Sequence, residues 1–377
     1  MSRVRRILTG ASTVLCLALC LMGMGLCMAG FEFWLFMRSP GGRQPGARQV
    51  MIMPGMTAAG IAHILATEGI ISDGNKFYLL CLLRKADQKL KAGEYAFLPL
   101  STPGQILDQM VSGRALIQRI TLAEGVTALE IAKTMQEKGL ASEKEILDLV
   151  ADRDFIRSNG LTVSSLEGYL FPETYFFQRS QSQGAMLKMM IRQFQRHLPA
   201  GWEERAAELG RSLHEIVIMA SLVEKEAATD SERPVIAAVF YNRLNEKMPL
   251  QSDPTTVYDL AGFSGPITTT HLRRQSPYNT YLNRGLPVGP ICNPGAKSLK
   301  AALHPEAVSY LYFVSNHDGT HQFSNTLAEH NQAVLRSHQR RRDLVAAPAN
   351  RDSNPLVQGS GQSREGGQKP GISLPEN

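Results

Sequence analysis

Residues 216–226 read Ile-Val-Ile-Met-Ala-Ser-Leu-Val-Glu-Lys-Glu, an apolar run that ends in two carboxylates. Residues 216–223 carry a single hydroxyl group and no charge, so they predict a helix that is buried on all sides in a protein core. A carboxylate at the end of such a helix is partly desolvated, which disfavours its charged form and raises its pKa. A glutamate that holds a proton near neutral pH is suited to act as a general acid.

The helical wheel places the two carboxylates on different faces of this helix. At about 100° per residue, Glu224 and Glu226 lie on stripes about 160° apart, so they do not share one site. The pattern does not choose between them. A purely structural interpretation also stays open, in which either glutamate pairs with Lys225, Arg233 or Arg243, because ion-pair networks perturb pKa values as well.

Composition and charge narrow the classes of partner. The formal net charge is +6 and the pI is near 9.1, which favours contact with anionic surfaces such as cell-wall polymer or phospholipid. Nucleic acid is not expected as a partner, because the sequence contains no helix-turn-helix signature, zinc finger or aromatic RNA-binding motif.

The first 38 residues predict a membrane anchor. Arg3, Arg5 and Arg6 precede an uncharged run, residues 7–31, that is long enough to span a bilayer. Arginines before the span favour a cytoplasmic N-terminus and place the remaining chain on the outer, periplasmic side of the cell (inner) membrane. A cleaved signal peptide is the alternative, although its apolar core would be shorter. A polar linker, residues 39–49, follows.

An internal repeat begins after the linker. MPGMTAAGIAHILATEGIIS starts at Met53, and AEGVTALEIAKTMQEKGLAS starts at Ala123. Each copy predicts a strand, a glycine turn, a threonine N-cap (Thr57 or Thr127) and an amphipathic helix. With a strand at 93–97 and a helix from 103 to 110 between the copies, residues 50–160 predict one small α+β module.

Residues 161–345 predict a larger α+β domain. We expect helices at 183–197, 231–246, 298–303 and 327–342, a strand at 310–315, and a loop at 276–295 that is rich in Gly, Pro and Asn. Residues 346–377 are mainly Ser, Gly, Pro, Gln and Asn, so they predict a disordered tail.

Four polar and aromatic segments of this domain are typical of a polysaccharide cleft, which needs flat apolar surfaces and hydroxyl-binding groups. They are residues 166–175, 250–255, 276–281 and 321–331. Each also has an ordinary interpretation as helix capping or turn chemistry. His317, His321 and His330 do not predict a metal site, because Gly319 breaks the helical spacing; neither metal nor cofactor is expected. Cys81 and Cys292 leave a disulfide open but do not require one.

The motifs MASLVEKEA, LQSDPT, SPYNTY, GLPVGPICNPG, YLYFV and HQFSNTLAEHN, in this order, resemble the endolytic murein (peptidoglycan) transglycosylase family, also called YceG-like. The resemblance covers about residues 50–340, and it makes the module with the repeat similar to LysM, a glycan binder. It assigns catalysis to the first glutamate of Glu-Lys-Glu, which is Glu224. It implies substrate-binding roles for a set of residues on the matched motifs: Glu226, Gln251, Asp253, Tyr278, Asn279, His321 and Asn331.

The family's activity implies cleavage of the bond between N-acetylmuramic acid and N-acetylglucosamine within a glycan strand. One glutamate would act as acid and then as base, leaving anhydro-muramic ends and ending nascent strands. The implied partners are peptidoglycan glycan strands, the membrane and peptidoglycan synthases. Two alternatives stay open, a muramidase that adds water on the same scaffold and a wall-binding adaptor without catalysis.

Overall fold

The computed structural model describes residues 2–41 and 46–346, which combine helices with short antiparallel strands. The helices are α1 (Ser2–Arg38), α2 (Ala58–Thr67), α3 (Gly74–Leu83), α4 (Pro103–Ser112), α5 (Ala128–Glu137), α6 (Glu143–Ala151), α7 (Arg153–Ser158), α8 (Gln183–His197), α9 (Trp202–Glu208), α10 (Leu213–Glu226), α11 (Arg233–Asn245), α12 (Thr269–Leu272), α13 (Ala296–Leu303) and α14 (Leu327–Ala346). The strands are β1 (Arg48–Ile52), β2 (Gly93–Phe97), β3 (Gln118–Thr121), β4 (Thr174–Phe177), β5 (Tyr312–Ser315) and β6 (His321–Ser324). The predicted mixture of helices and strands is confirmed.

Two hydrophobic clusters organise the described residues. The smaller cluster contains buried residues between Phe36 and Met110, and it surrounds the sheet in which β1 pairs with β2. The larger cluster runs from Ile120 to Leu303 and includes six apolar residues of α10: Ile216, Val217, Met219, Ala220, Leu222 and Val223. Sheets β3–β4 and β5–β6 are also antiparallel pairs.

The two copies of the repeat fold alike but join different clusters. Thr57 and Thr127 are N-caps as predicted, and each accepts a hydrogen bond from the backbone N–H three residues later. Ile61 of the first copy packs in the smaller cluster, whereas Ile131 of the second packs in the larger one. The reason is strand pairing, since β3 pairs with β4 rather than with β1 or β2. Residues 50–160 therefore do not surround one common core.

The N-terminal helix continues from the apolar run into the smaller cluster. Its segment Leu15–Arg38 is long and apolar enough to cross a membrane. Phe36, near its end, is only 5% exposed because it packs into the smaller cluster. The predicted disordered tail, residues 346–377, lies outside the described residues except for Ala346, which ends α14.

Candidate active site

Helix α10 brings the Glu-Lys-Glu segment to the edge of the larger cluster. Ser212 caps its N-terminus in a capping box with Glu215, and residues 216–223 are all buried. The helix ends at Glu226, where the next residue, Ala227, turns to extended backbone. The buried helix is thus confirmed, and its two terminal glutamates enter different surroundings.

Glu224 is held in a buried ion pair. Its Oε1 accepts a hydrogen bond from Arg233 Nη1 at 2.9 Å, and its Oε2 accepts one from the backbone N–H of Gly295 at 2.9 Å. The side chain of Glu224 is 5% exposed and that of Arg233 is 10% exposed. Both carboxylate oxygens of Glu224 are therefore engaged by fixed donors within the protein.

Arg233 extends this ion pair into a network that joins several elements. Its Nε donates to Asp230 Oδ1 at 3.2 Å, and its Nη1 also contacts the hydroxyl of Ser298 on α13. Glu124, from the second repeat copy, lies 4.0 Å from Arg233 Nη2. The side chain of Glu124 also packs directly against Gly295, where α13 begins, so a side chain at position 295 would displace it. Glu224 and Arg233 therefore connect α10, α11 and α13.

Glu226 occupies a site that suits a proton carrier. Burial raises the pKa of its carboxyl to about 7, and the negative charge of Asp253 acts in the same direction. The hydroxyl of Ser252, which donates to Glu226 Oε1 at 2.6 Å, and the charge of Arg243 oppose this rise without cancelling it. A carboxyl with a pKa near the operating pH can both give and take a proton.

Glu226 lines a cleft of about 360 Å³ that lies between α11, the 250–253 segment, β5 and α14. Four residues expected at the site, Glu226, Gln251, Asp253 and His321, line this cleft together. Its remaining wall is formed by Arg243, Leu250, Tyr281, Phe313, Val314, Ser315, His330 and Val334. The cleft thus combines one proton-bearing carboxyl with aromatic and hydrogen-bonding groups.

The basic side of the cleft is rigidly supported. Arg243 Nε donates to the carbonyl of Leu311 at 2.6 Å, and its Nη1 donates to the carbonyl of Leu250 at 2.9 Å and to Gln251 Oε1 at 3.2 Å. Gln251 has a backbone φ of +52°, a left-handed conformation that residues other than glycine rarely adopt. Such strain is held in place by surrounding contacts and is concentrated at functional sites.

Paired contacts also orient the polar groups of the cleft. Nδ1 of His321 lies 2.7 Å from Glu232 Oε2, and the backbone N–H of His321 donates to Glu232 Oε1 at 2.8 Å. Because a carboxylate only accepts, Nδ1 of His321 is the donor in this pair. Tyr281 donates its hydroxyl to Asp253 Oδ1 at 2.5 Å.

Three residues expected to bind substrate lie outside this cleft. Asn279 is fully buried, and its side chain bonds to the carbonyls of Leu272 and Arg274 and to the N–H of Tyr281, so it supports the loop. Tyr278 packs against Tyr258, with ring centroids 4.7 Å apart. Asn331 is exposed on α14 and is not part of the cleft wall.

The 166–175 segment belongs to the core rather than to a cleft. Glu167 is 5% exposed and accepts hydrogen bonds from Ala128 N, Asn293 Nδ2 and the hydroxyl of Tyr258. Burial raises the pKa of Glu167 to about 7, although hydrogen bonds from Ala128, Tyr258 and the backbone of Gly168 oppose the rise. Since Ala128, Asn293 and Tyr258 come from separate segments, Glu167 fastens the N-terminus of α5 to the larger cluster.

The sequence did not single out Glu232 or Phe313 as site residues, and it offered Arg243 only as an ion-pair partner. Glu232 positions His321, Arg243 donates to Gln251, and Phe313 lines the cleft. Ser252, Tyr281 and His330 lie in segments that were expected to form a cleft. Ser252 donates to Glu226, and the other two are part of the wall. Cys81 and Cys292 are buried free thiols, which resolves the open question of a disulfide between them. The described residues contain no cluster of three or more His, Cys, Asp or Glu that could hold a metal ion.

Comparisons with known proteins identify the family of this chain. The model of the YceG-like family matches residues 50–336. An endolytic murein transglycosylase from Bacillus subtilis is 34% identical over 300 residues, covering 75% of this chain and 83% of that protein. One from Streptococcus pneumoniae is 27% identical, covering 76% of this chain but 57% of that longer protein.

A solved structure shares the fold. The crystal structure of a putative YceG-like protein from Listeria monocytogenes is 33% identical, with a TM-score of 0.54, and the match covers 76% of this chain and 98% of that one. Glu-Lys-Glu and the residues of the cleft lie within the stretch matched by the family model. The chain therefore belongs to the YceG-like family.

Proposed function

We propose that this chain is a membrane-anchored lytic transglycosylase that cuts peptidoglycan within glycan strands. The relatives from Bacillus subtilis and Streptococcus pneumoniae are endolytic murein transglycosylases, which supports this activity. The observation that carries the proposal is Glu226, a carboxyl with a pKa of about 7 in a cleft lined by aromatic and hydrogen-bonding side chains. Glu226 thereby takes the catalytic role that the family resemblance gave to Glu224, whose oxygens are both engaged in structural contacts.

In the proposed reaction, protonated Glu226 gives its proton to the oxygen that links N-acetylmuramic acid to N-acetylglucosamine. As that bond breaks, the C6 hydroxyl of the same muramic acid attacks the anomeric carbon. The Glu226 carboxylate then takes the proton of this hydroxyl, and the product is an anhydro-muramic end. The attack is intramolecular, so it needs no activated water and no second carboxylate, and it exploits a high effective concentration.

The other groups of the cleft would hold the sugar. Phe313 and Tyr281 offer ring faces, and Gln251 and His321 offer hydrogen-bonding groups to the sugar hydroxyls. Arg243 lies near enough to Glu226 to lower its pKa, so it would stabilise the carboxylate formed after proton donation.

Hydrolysis is the second candidate, and one observation favours it. Asp253 lines the same cleft as Glu226, and many glycosidases use two carboxylates, one of which activates water. Digestion of purified peptidoglycan by the full chain, followed by mass spectrometry, separates the two reactions. We expect anhydro-muramic ends. Reducing muramic ends would establish a muramidase, and intact strands would leave only a binding role.

The rate of cleavage should depend on pH through Glu226. Its raised pKa keeps the carboxyl protonated up to about pH 7, whereas an ordinary glutamate has already lost its proton. We therefore expect kcat/KM to fall about tenfold for each pH unit above that value, because the proton donor is lost. Measuring initial rates across neutral pH tests this expectation, and a rate that increases steadily above neutrality would contradict it.

The cellular setting forms part of the proposal. Helix α1 would anchor the chain in the cell membrane with its N-terminus in the cytoplasm and the cleft on the outer side. The repeat copies would bind glycan in the manner of LysM, with catalytic residues confined to 161–345. Cleavage near the membrane would end nascent strands beside the synthases that make them.

A further inference from the structure

Helix α3 has an apolar outer face that no described part of the chain covers. Its inner face is buried in the smaller cluster through Phe77, Leu80 and Cys81. The opposite side carries large apolar residues with exposures of 37–64%: Tyr78, Leu79, Leu82 and Leu83. At about 100° per residue these four side chains form a continuous arc of about 140°. Exposed apolar arcs of this width mark contact with another surface.

We propose that this outer face of α3 lies in the interfacial layer of the lipid bilayer, beside the point where α1 leaves the membrane. The inference rests on the proposed membrane anchoring of α1 and adds a second, monotopic contact to it. An interfacial helix of this kind buries its apolar face about 5–10 Å into the boundary between headgroups and acyl chains.

Contacts with α1 set the level of α3 relative to the membrane. Lys76, at the start of α3, pairs with Glu32 of α1 at 3.3 Å. Glu32 precedes Trp34, which stacks near Phe31 and carries Arg38 over its ring, an arrangement typical of an interfacial belt. Helix α3 is therefore level with the end of the span rather than distant from it. At this depth, the surface that the outer face of α3 meets is the lipid bilayer.

Burial of Phe36 keeps the whole smaller cluster at this level. Because Phe36 is part of that cluster, the residues of the smaller cluster cannot separate from the last turn of α1 without exposing the core that they form with it. The start of the linker is also fixed to the folded chain, because the N–H of Gly41 donates a hydrogen bond to the carbonyl of Ser101 at 3.3 Å. Close to Ser101 in the sequence, Leu98 and Leu100 are 71% and 77% exposed and add to the apolar surface of this part of the chain.

Basic residues follow the apolar face along the chain. Arg84, Lys85 and Lys89 are exposed directly after α3. Arg84 pairs with Asp108, whereas Lys85 and Lys89 have no acidic partner among the described ion pairs. Apolar residues with lysines at their edge suit a surface of acyl chains beneath anionic headgroups.

Fluorescence quenching by lipids tests the proposal in the full chain. The chain has two tryptophans, so three single-tryptophan variants are needed: Trp202→Phe, which keeps Trp34, and Leu83→Trp or Leu335→Trp, each with Trp34→Phe and Trp202→Phe. Leu335 is 70% exposed on α14 and serves as the matched control. Each variant is reconstituted in liposomes whose acyl chains carry bromine close to the headgroup, and its thermal unfolding is compared with that of the native chain.

We expect Trp34 and the tryptophan at position 83 to be quenched to a similar degree, with blue-shifted emission, and the tryptophan at position 335 to be unaffected. Quenching at 34 but not at 83 would overturn this inference and leave the anchor intact. Absence of quenching at both positions would overturn the anchor as well. A blue shift at 83 without quenching would mean that protein, either a second copy or a partner, covers this face instead of lipid.

Discussion

Replacing Glu226 with glutamine should lower the rate of glycan cleavage by about 10²- to 10⁴-fold, the usual value of a positioned acid–base group. The amide is similar in size but can neither release nor accept the proton that the reaction exchanges. Ser252 can still donate its hydrogen bond to the amide oxygen, so the fold should persist. The measurement is the rate at which soluble fragments are released from purified peptidoglycan, compared with the native chain at equal concentration.

Glu224→Gln is the matched control, because it makes the same chemical change two residues earlier. At temperatures at which this variant is folded, we expect it to keep most of the native rate, since Glu224 does not line the cleft. Folding of both variants is checked by circular dichroism. A folded Glu224→Gln without activity, together with an active Glu226→Gln, would return the catalytic role to the first glutamate of the motif.

The second large effect is on stability and concerns Glu224 itself. Removing one partner of a buried ion pair costs about 3–5 kcal/mol when the remaining charge has no other partner, and less where, as with Arg233 and Asp230, a second carboxylate stays at 3.2 Å. In Glu224→Gln, Arg233 loses its charged partner at 2.9 Å. The NH₂ group of the new amide is itself a donor, yet it must face another donor, either Arg233 or the N–H of Gly295. We therefore expect the free energy of unfolding to fall by up to about 3 kcal/mol, the lower end of this range, as measured by chemical denaturation.

A double-mutant cycle with Arg233→Met isolates the pair from its neighbours. Residues in direct contact give coupling energies of about 0.5–3 kcal/mol, whereas independent sites give additive effects. Asp230 and Ser298 also contact Arg233, so the single change Arg233→Met should cost more than the coupling alone. Additive effects of the two substitutions would contradict the ion pair.

The buried helix and the separation of its two glutamates could be predicted from the sequence. A fully apolar stretch specifies burial, and helical geometry fixes the angle between Glu224 and Glu226. The choice between them could not be predicted, because it depends on residues far along the chain. Gly295 and Arg233 engage Glu224, whereas Ser252 and Asp253 surround Glu226.

Other differences have similar physical causes. Asn279 and Glu167 have the residue types of a sugar site, but their partners are backbone and buried side chains that only the fold brings near. Helix α3 escaped prediction because both of its faces are apolar, so the sequence lacks the alternation of polar and apolar residues that marks a surface helix. That same feature is the basis for its proposed contact with lipid.

The central claim is that Glu226 carries the proton used in cleavage. Infrared difference spectra of the native chain, Glu226→Gln and Glu224→Gln, titrated across neutral pH, test it directly. The account predicts a protonated carboxyl that titrates near pH 7 and is absent only from Glu226→Gln, while a second such signal, from Glu167, remains in all three proteins. Loss of the signal in Glu224→Gln with its retention in Glu226→Gln would contradict the account.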